Sequence, residues 1–105
     1  MYSLRFNKHI ASDIRKARQW YNEQSAGLGY KFQEVVFTCV ASIAAKPLLS
    51  PERYHNIRIR RVNRKFPYFI HYEVTTKRKE VLVWGVFHGK RKPETWENRV
   101  KGASP

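Results

Sequence analysis

The sequence predicts an α+β fold, in which a helical hairpin packs on one face of a small antiparallel sheet in the order β-α-α-β-β-β. Three observations lead to this prediction. The first half of the chain has two segments with apolar residues at helical spacing, joined by a short glycine-containing linker. The second half has three segments rich in β-branched and aromatic residues, partly alternating with polar ones. The 105 residues, 42% of them hydrophobic, suffice for one domain over residues 1–105, with a tail after about residue 100.

The first strand and the first helix occupy the start of the chain. Residues 2–6 alternate loosely and predict a strand. Asn7 and Ser12 are alternative caps for the helix that follows. The apolar stripe of this helix has spacings of 3, 3 and 4 and consists of Ala11, Ile14, Ala17 and Tyr21. Gly27 is expected to adopt the left-handed conformation that ends a helix.

A second helix is predicted over residues 28–45, because its apolar positions fall on one face and Pro47 ends it. The linker between the two helices is short, so they should form an antiparallel hairpin. Three strands follow, over residues 56–63, 67–75 and 80–88, and the last of these is apolar on both faces, as a central strand is. Residues 93–99 are expected to form one or two helical turns.

The charge is strongly positive, with 21 Lys and Arg against 8 Asp and Glu and a formal net charge of +13. Residues 1–50 carry 7 basic and 3 acidic side chains, whereas residues 51–105 carry 14 and 5. Such a field indicates nucleic acid, an anionic membrane or an acidic protein as the partner. The membrane is disfavoured, because there is no basic amphipathic helix and no apolar run of about 18 residues. Without an apolar signal peptide, and with the single cysteine Cys39, a reduced cytoplasmic protein is expected.

Cations are concentrated in the first of the three later strands and the loop after it, at Arg58, Arg60, Arg61, Arg64 and Lys65. Alternation places Arg58 and Arg60 opposite Ile57 and Ile59. If the helices cover the isoleucines, these arginines line the open face of the sheet, where guanidinium groups bind phosphate bidentately. The alternative is an edge strand protected from aggregation by its charge.

Another candidate lies at the end of the last strand, where His88 precedes the cations Lys90, Arg91 and Lys92. A neutral histidine among cations could act as a general base, and a structurally hydrogen-bonded histidine is the alternative. Two aromatic residues of the preceding strand, Tyr68 and Tyr72, could stack on unpaired bases, although Tyr72 also fits the core.

The three tryptophans, Trp20, Trp84 and Trp96, are expected to be structural, with Trp96 attaching the C-terminal segment. The carboxylates are scattered and neither a glycine-rich phosphate loop nor a metal-ligand pattern is present, so no metal and no cofactor are expected. Cleavage without a metal is possible for RNA, whose 2′-hydroxyl supplies the nucleophile.

Several short motifs are spread over residues 4–100 in a fixed order, namely Asp13-Ile14, Ala17, Trp20-Tyr21, Gly27-Leu28-Gly29, Phe32, Pro47, Ile57-Arg58, Phe66-Pro67-Tyr68, Ile70, Tyr72, His88, Arg91, Pro93, Trp96 and Arg99. Together they resemble the RelE/ParE superfamily of toxins from bacterial type II toxin–antitoxin modules, which includes plasmid-stabilisation-type proteins. The resemblance implies a helical hairpin on a small antiparallel sheet and a growth-inhibiting toxin. It also implies a cognate antitoxin whose acidic amphipathic segment wraps around the toxin.

Two mechanisms occur in this superfamily, and the sequence leaves both open. RelE-like members cleave mRNA on the ribosome, and ParE-like members poison DNA gyrase. For cleavage, the resemblance points to Arg61, Arg64 and Arg91 as phosphate ligands and to His88 as acid or base, since arginine does not exchange protons at physiological pH. Antitoxin or nucleic acid would then contact Arg58, Arg60, Lys65, Tyr68, Tyr72 and Lys90. A basic nucleic-acid-binding module without toxicity is the alternative function.

Overall fold

A computed structural model describes residues 1–102 of the protein. The elements in chain order are β1 (Ser3–Phe6), α1 (Ile10–Gln24), α2 (Leu28–Ala45), β2 (Glu52–Tyr54), β3 (Ile57–Arg61), β4 (Tyr68–Thr75), β5 (Glu80–His88) and α3 (Pro93–Gly102). The predicted α+β class and element order are confirmed, with a short β2 added before β3. The C-terminal helix is longer than the predicted one or two turns and includes residues 101 and 102, which were expected to begin a tail. Residues 103–105 of that expected tail lie outside the described residues.

The five strands form one mixed sheet in the order β1-β5-β4-β3-β2. The three predicted later strands, β3 to β5, pair antiparallel as expected, and the additional β2 pairs antiparallel with β3. The expectation of a purely antiparallel sheet is wrong at β1, which runs parallel to β5. A β-bulge interrupts the pairing of β4 with β5 after His71. The connection from β1 to α1 lies beside the middle of β5, because Asn7 donates its backbone N–H to the carbonyl of Val83.

The start of α1 differs in detail from both predicted caps. His9 occupies the cap position without a side-chain hydrogen bond, and Ser12 lies inside the helix. Asn7 lies two residues before His9, and its Oδ1 accepts the backbone N–H of His9 at 2.9 Å. Between the helices, Gly27 has a φ of 83°, which confirms the expected left-handed conformation.

Both helices of the hairpin pack on the sheet face that carries Ile70, Tyr72, Val83 and Val86. Tyr72 is fully buried and its hydroxyl donates to the carbonyl of Pro47 at 2.8 Å, so it belongs to the core and its ring is inaccessible to a nucleobase. The remaining core residues on the helices and loops are Ile10, Ile14, Ala17, Phe32, Val36, Cys39, Val40, Ile43, Val62 and Phe66.

The predicted orientation of β3 is wrong. Arg58 pairs with Tyr72, and Arg60 pairs with Ile70, so both arginines share the face covered by the helical hairpin. The end of α2 and the loop after it offer oxygen acceptors there. Arg58 donates to the carbonyl of Ser50 at 2.6 Å, and Arg60 donates to Ser50 Oγ at 3.1 Å and to the carbonyl of Lys46 at 2.9 Å. Both guanidinium groups therefore hold the chain after α2 against the sheet.

The opposite sheet face is covered in part by α3. Trp96 packs on Tyr54 and His71, with ring centroids 4.5 and 5.1 Å apart, which confirms that it attaches the C-terminal segment. Trp84 is buried and its Nε1 donates to Glu73 at 3.0 Å, as a structural residue would. Trp20 does not follow that prediction, because 55% of its surface is exposed.

Candidate nucleic-acid interface

A cleft of about 350 Å³ lies between α1, the end of β5, and the turn and helix α3 that follow it. It is lined by His9, Ser12, Asp13, Lys16, Ala17, Trp20, Tyr68, Val86, His88, Arg91 and Arg99. The cleft brings two predicted candidates, His88 and Arg91, together with side chains of α1 that the sequence interpretation did not assign to a site. The cleft combines two histidines, two cations without an acidic partner among the described residues, and the exposed ring of Trp20.

The contribution of α1 follows from its helical spacing. His9, Asp13, Lys16 and Trp20 are separated by 4, 3 and 4 residues, so they form one line along the helix surface. The buried residues Ile10, Ile14 and Ala17 lie next to that line. Their packing in the core places the line of side chains beside β5. This spacing was visible in the sequence, but only the packing of α1 on β5 shows which side of the helix borders a site.

One ion pair fixes the cleft. Asp13 Oδ2 accepts Arg99 Nη1 at 2.6 Å, and Asp13 Oδ1 accepts Arg99 Nη2 at 3.1 Å. The same Oδ2 accepts the backbone N–H of Val86 at 3.0 Å, while Arg99 Nη1 also donates to the carbonyl of Trp84. These bonds close the edge of β5 beyond the point where β1 ends. They also neutralise the carboxylate of Asp13, which is the acidic side chain in the cleft lining.

The imidazole of His88 is held by the turn that follows β5. Its Nδ1 accepts the backbone N–H of Lys90 at 3.0 Å, and its ring meets that of Tyr68 edge-on at 5.1 Å. With Nδ1 occupied as an acceptor, the neutral imidazole carries its proton on Nε2 and presents an N–H donor there. In this arrangement the Nδ1 lone pair is engaged by the Lys90 N–H, and Nε2–H is the group directed to a ligand.

The free charges of the cleft come from Lys16 and Arg91. Among residues 1–102 the ion pairs are Arg5–Glu80 and Asp13–Arg99, so neither of these two cations has an acidic partner there. Burial raises the pKa of Tyr68, and the positive charge of Arg91 offsets part of that rise. The phenol of Tyr68 therefore stays neutral at physiological pH and offers a hydroxyl at the cleft.

The cations of the β3–β4 region lie elsewhere. Arg61 pairs with Phe69, its guanidinium stands 5.5 Å from that ring, and it donates to the carbonyls of Asn63 and Arg64 at 2.8 and 3.3 Å. His88 pairs with Tyr68 and so belongs to the other face of the sheet. Arg64, Lys65 and Lys90 are exposed. Tyr68, His88 and Arg91 therefore line the same cleft, whereas Arg61 lies on the opposite face of the sheet.

Comparison with known proteins identifies the family of the chain. A family model described as the ParE toxin of the type II toxin–antitoxin system parDE matches residues 4–93. The chain belongs to the ParE toxin family. Sequence comparison with curated proteins finds no match for it.

Three solved structures share the fold of this ParE-family chain. The chromosomal ParDE system from P. aeruginosa has a TM-score of 0.71 at 15% identity and covers 84% of this chain and 96% of its own. The intact E. coli RelBE toxin–antitoxin complex has a TM-score of 0.64 at 17% identity, covering 87% of this chain and 100% of its own. The isolated E. coli RelE toxin has a TM-score of 0.63 at 18% identity, covering 96% and 97% respectively.

This ParE-family chain has a second polar cluster, on the sheet face under α3, which the sequence interpretation missed. The hydroxyl of Tyr54 and Nδ1 of the buried His71 are 2.8 Å apart. Burial, followed by the charges of Arg99 and Arg53, lowers the pKa of His71 to about 4. Burial likewise raises the pKa of Tyr54. Both groups are neutral at physiological pH, so this cluster attaches α3 without adding charge.

Two further properties of the ParE-family chain concern only residues 1–102. Within that range no three His, Cys, Asp or Glu side chains lie close enough together to hold a metal ion. None of the helices α1 to α3, as described there, combines the length and apolar character needed to cross a membrane.

Proposed function

We propose that this ParE-family chain is a growth-inhibiting toxin that binds and poisons DNA gyrase, and that an acidic antitoxin neutralises it. The observation that carries the choice of mechanism is the hydrogen bond from the Lys90 N–H to His88 Nδ1. Because it leaves His88 as a donor, the one predicted acid–base residue is unsuited to activate a 2′-hydroxyl. A toxin that acts by binding its target needs no general base.

The position of Arg61 supports the same choice. A metal-free ribonuclease has to gather cations and a proton-transferring group around one phosphate. In this chain Arg61 donates to two carbonyls of its own loop, on the sheet face opposite His88. The match of the ParE family model over residues 4–93 agrees with a gyrase target.

Two observations support an acidic antitoxin as the partner: the net positive charge of the chain and the solved structures that share its fold. A net charge of +13 would attract an acidic chain over most of the surface. The solved structures with the same fold include the ParDE system and the RelBE toxin–antitoxin complex. Binding of such a partner would lower the positive field that gyrase or nucleic acid otherwise meets.

The test is induced expression of the chain without antitoxin, followed within the first generation by two readouts. Gyrase poisoning predicts a DNA-damage response and double-strand breaks that require gyrase, and the purified chain should inhibit supercoiling of relaxed plasmid by gyrase. Co-expression of the antitoxin is the control and should abolish both effects. Early arrest of translation, with mRNA cut in the ribosomal A site and no DNA-damage response, would refute this mechanism.

Ribosome-dependent mRNA cleavage is the second candidate, and the cleft itself favours it. Tyr68, His88 and Arg91 line one space together with Lys16, and this is a set of groups able to surround a phosphodiester. If this candidate is right, His88→Ala should abolish mRNA cleavage and growth arrest while leaving antitoxin affinity within twofold. Growth that is unaffected by expression would instead favour a nucleic-acid-binding module without toxicity.

A further inference from the structure

We propose that the cleft between α1 and the end of β5 is a DNA-strand site of this toxin, which binds one backbone phosphate through Lys16, His88 and Arg91 and stacks an adjacent unpaired base on Trp20. The proposal deepens the proposed function and rests on it for the source of the strand, which is the DNA held by gyrase. The ligand chemistry itself, a phosphate beside an unpaired base, is shared by DNA and RNA.

The charge of the cleft selects an anion. Asp13 is neutralised by the two bonds to Arg99, which leaves the charges of Lys16 and Arg91 without a partner among the described residues. Two cations from different elements, one on α1 and one after β5, therefore face the same space. Cations that converge on a cleft whose one lining carboxylate, Asp13, is already ion-paired are suited to a phosphate group.

The imidazole of His88 adds a directed donor to those charges. Its Nδ1 is occupied by the N–H of Lys90, so Nε2–H is the group left for a ligand. The ring is oriented by its edge-on contact with Tyr68, whose hydroxyl belongs to the same lining. A phosphate oxygen in the cleft would thus meet a fixed N–H donor as well as two mobile cations.

An exposed aromatic ring beside the cations distinguishes a nucleic-acid strand from a free anion. Trp20 lines the cleft and also an adjoining depression of about 400 Å³ that contains Tyr21, Pro67, Tyr68 and His88. The rings of Trp20 and Tyr21 form a T-shaped pair with a centroid distance of 5.1 Å, yet 55% of Trp20 remains exposed. Such a surface stacks on an unpaired base, an interaction that commonly contributes roughly tenfold or more to affinity.

The test measures binding of a labelled 12-nucleotide single-stranded DNA to the full chain by fluorescence anisotropy between 50 and 300 mM salt. The cleft variant is Lys16→Ala with Arg91→Ala. Its matched control is Lys77→Ala with Arg78→Ala, which removes the same charge from the turn between β4 and β5. That turn lies at the other end of β5, about 27 Å from His88 for a strand of this length.

The expected result is a loss of affinity of at least tenfold for the cleft variant and of less than threefold for the control. The slope of log K against log salt concentration should become less steep by about 1.4 in the cleft variant, because two phosphate contacts with a single strand are lost. Trp20→Ala should weaken binding about tenfold without changing the salt dependence, and Trp20→Phe should retain binding within threefold. Equal losses in the cleft and control variants, or full affinity in Trp20→Ala, would overturn the proposal.

Two further arms identify the strand. Duplex DNA of the same sequence should bind more weakly than the single strand, and equal or tighter duplex binding would overturn the role given to an unpaired base. RNA of the same sequence should bind no more tightly than DNA, and a tenfold preference for RNA would overturn the assignment to DNA. Inhibition of gyrase with no loss of DNA affinity in the cleft variant would refute this site while leaving the proposed function intact.

Discussion

Removal of the Asp13 carboxylate tests how the cleft is held together. Asp13→Ala deletes both bonds to Arg99 and the bond from the backbone N–H of Val86. It also leaves the guanidinium of Arg99 without its counter-charge in a place where only 17% of that side chain is exposed. The variant therefore removes hydrogen bonds that connect three elements, since α1, β5 and α3 meet at this carboxylate.

The magnitude follows from burial. Breaking one partner of a buried pair costs roughly 3–5 kcal/mol, and this pair is at the lower end because its side chains keep 17% and 12% exposure. We expect Asp13→Ala to lower the free energy of unfolding by about 3 kcal/mol. For a chain of this size, that corresponds to a fall in Tm of roughly 12–24 °C. The coupling energy between Asp13 and Arg99 should be about 1.5–3 kcal/mol.

The assay is a double-mutant cycle by urea unfolding, with Asp13→Ala, Arg99→Ala and the double variant. The exposed pair of Arg5 with Glu80, joined at 3.3 Å with 53% and 20% exposure, supplies an identical cycle as the control. Its coupling should be below about 0.5 kcal/mol, because solvent screens an exposed pair. A coupling below 0.5 kcal/mol for Asp13 and Arg99 as well would refute the conclusion that this pair fixes the cleft.

Three other predictions follow from single residues. Gly29→Ala should lower the free energy of unfolding by about 1–3 kcal/mol despite the helix propensity of alanine, because its Cβ would overlap the carbonyl oxygen of Arg18; an unchanged urea midpoint would contradict this. Burial holds the pKa of His71 at about 4, below its unfolded value of 6.5, so its contribution is complete above pH 6.5 and is lost as the pH falls towards 4. Urea unfolding should show a loss of roughly 3 kcal/mol over that range, and His71→Gln should lack this part of the pH dependence; identical slopes would contradict the prediction. Burial also raises the pKa of Cys39, so a water-soluble aromatic disulfide reagent should label this thiol only in unfolded protein, and rapid labelling of the native chain would show otherwise.

Local patterns predicted most of the secondary structure. The helix over residues 28–45 and the strand over residues 80–88 have the predicted bounds, because each combines one strong period with a clear end signal. The attachment of the C-terminal segment by Trp96 was also predicted. The orientation of β3 was not, because alternation shows that Arg58 and Ile59 point to opposite sides but not which side the helices cover. The orientation of β3 is set by the oxygen atoms of Lys46 and Ser50, which follow α2 and accept hydrogen bonds from Arg58 and Arg60.

Some residues of the candidate site were predicted from the sequence, and others were found only in the structure. His88, Arg91 and Tyr68 were identified from the sequence and lie together, since all three are close to where β4 begins or β5 ends. Lys16 and Trp20 were missed as site residues, although their helical spacing was visible. The function of a helix surface cannot be assigned until its neighbour is known, and α1 contacts β5 through residues such as Asp13 and Val86, which are 73 positions apart in the chain.

The sequence by itself determined the α+β class, the element order, the presence of a single cysteine, the large positive charge and the resemblance to the toxin family. These are properties of local periodicity, composition and motif order, which need no knowledge of contacts. Tertiary structure alone decided the parallel pairing of β1 with β5, the face taken by Arg58 and Arg60, and the separation of Arg61 from His88. Each depends on contacts between segments far apart in the chain, and such contacts select between two sides that the local pattern leaves equivalent.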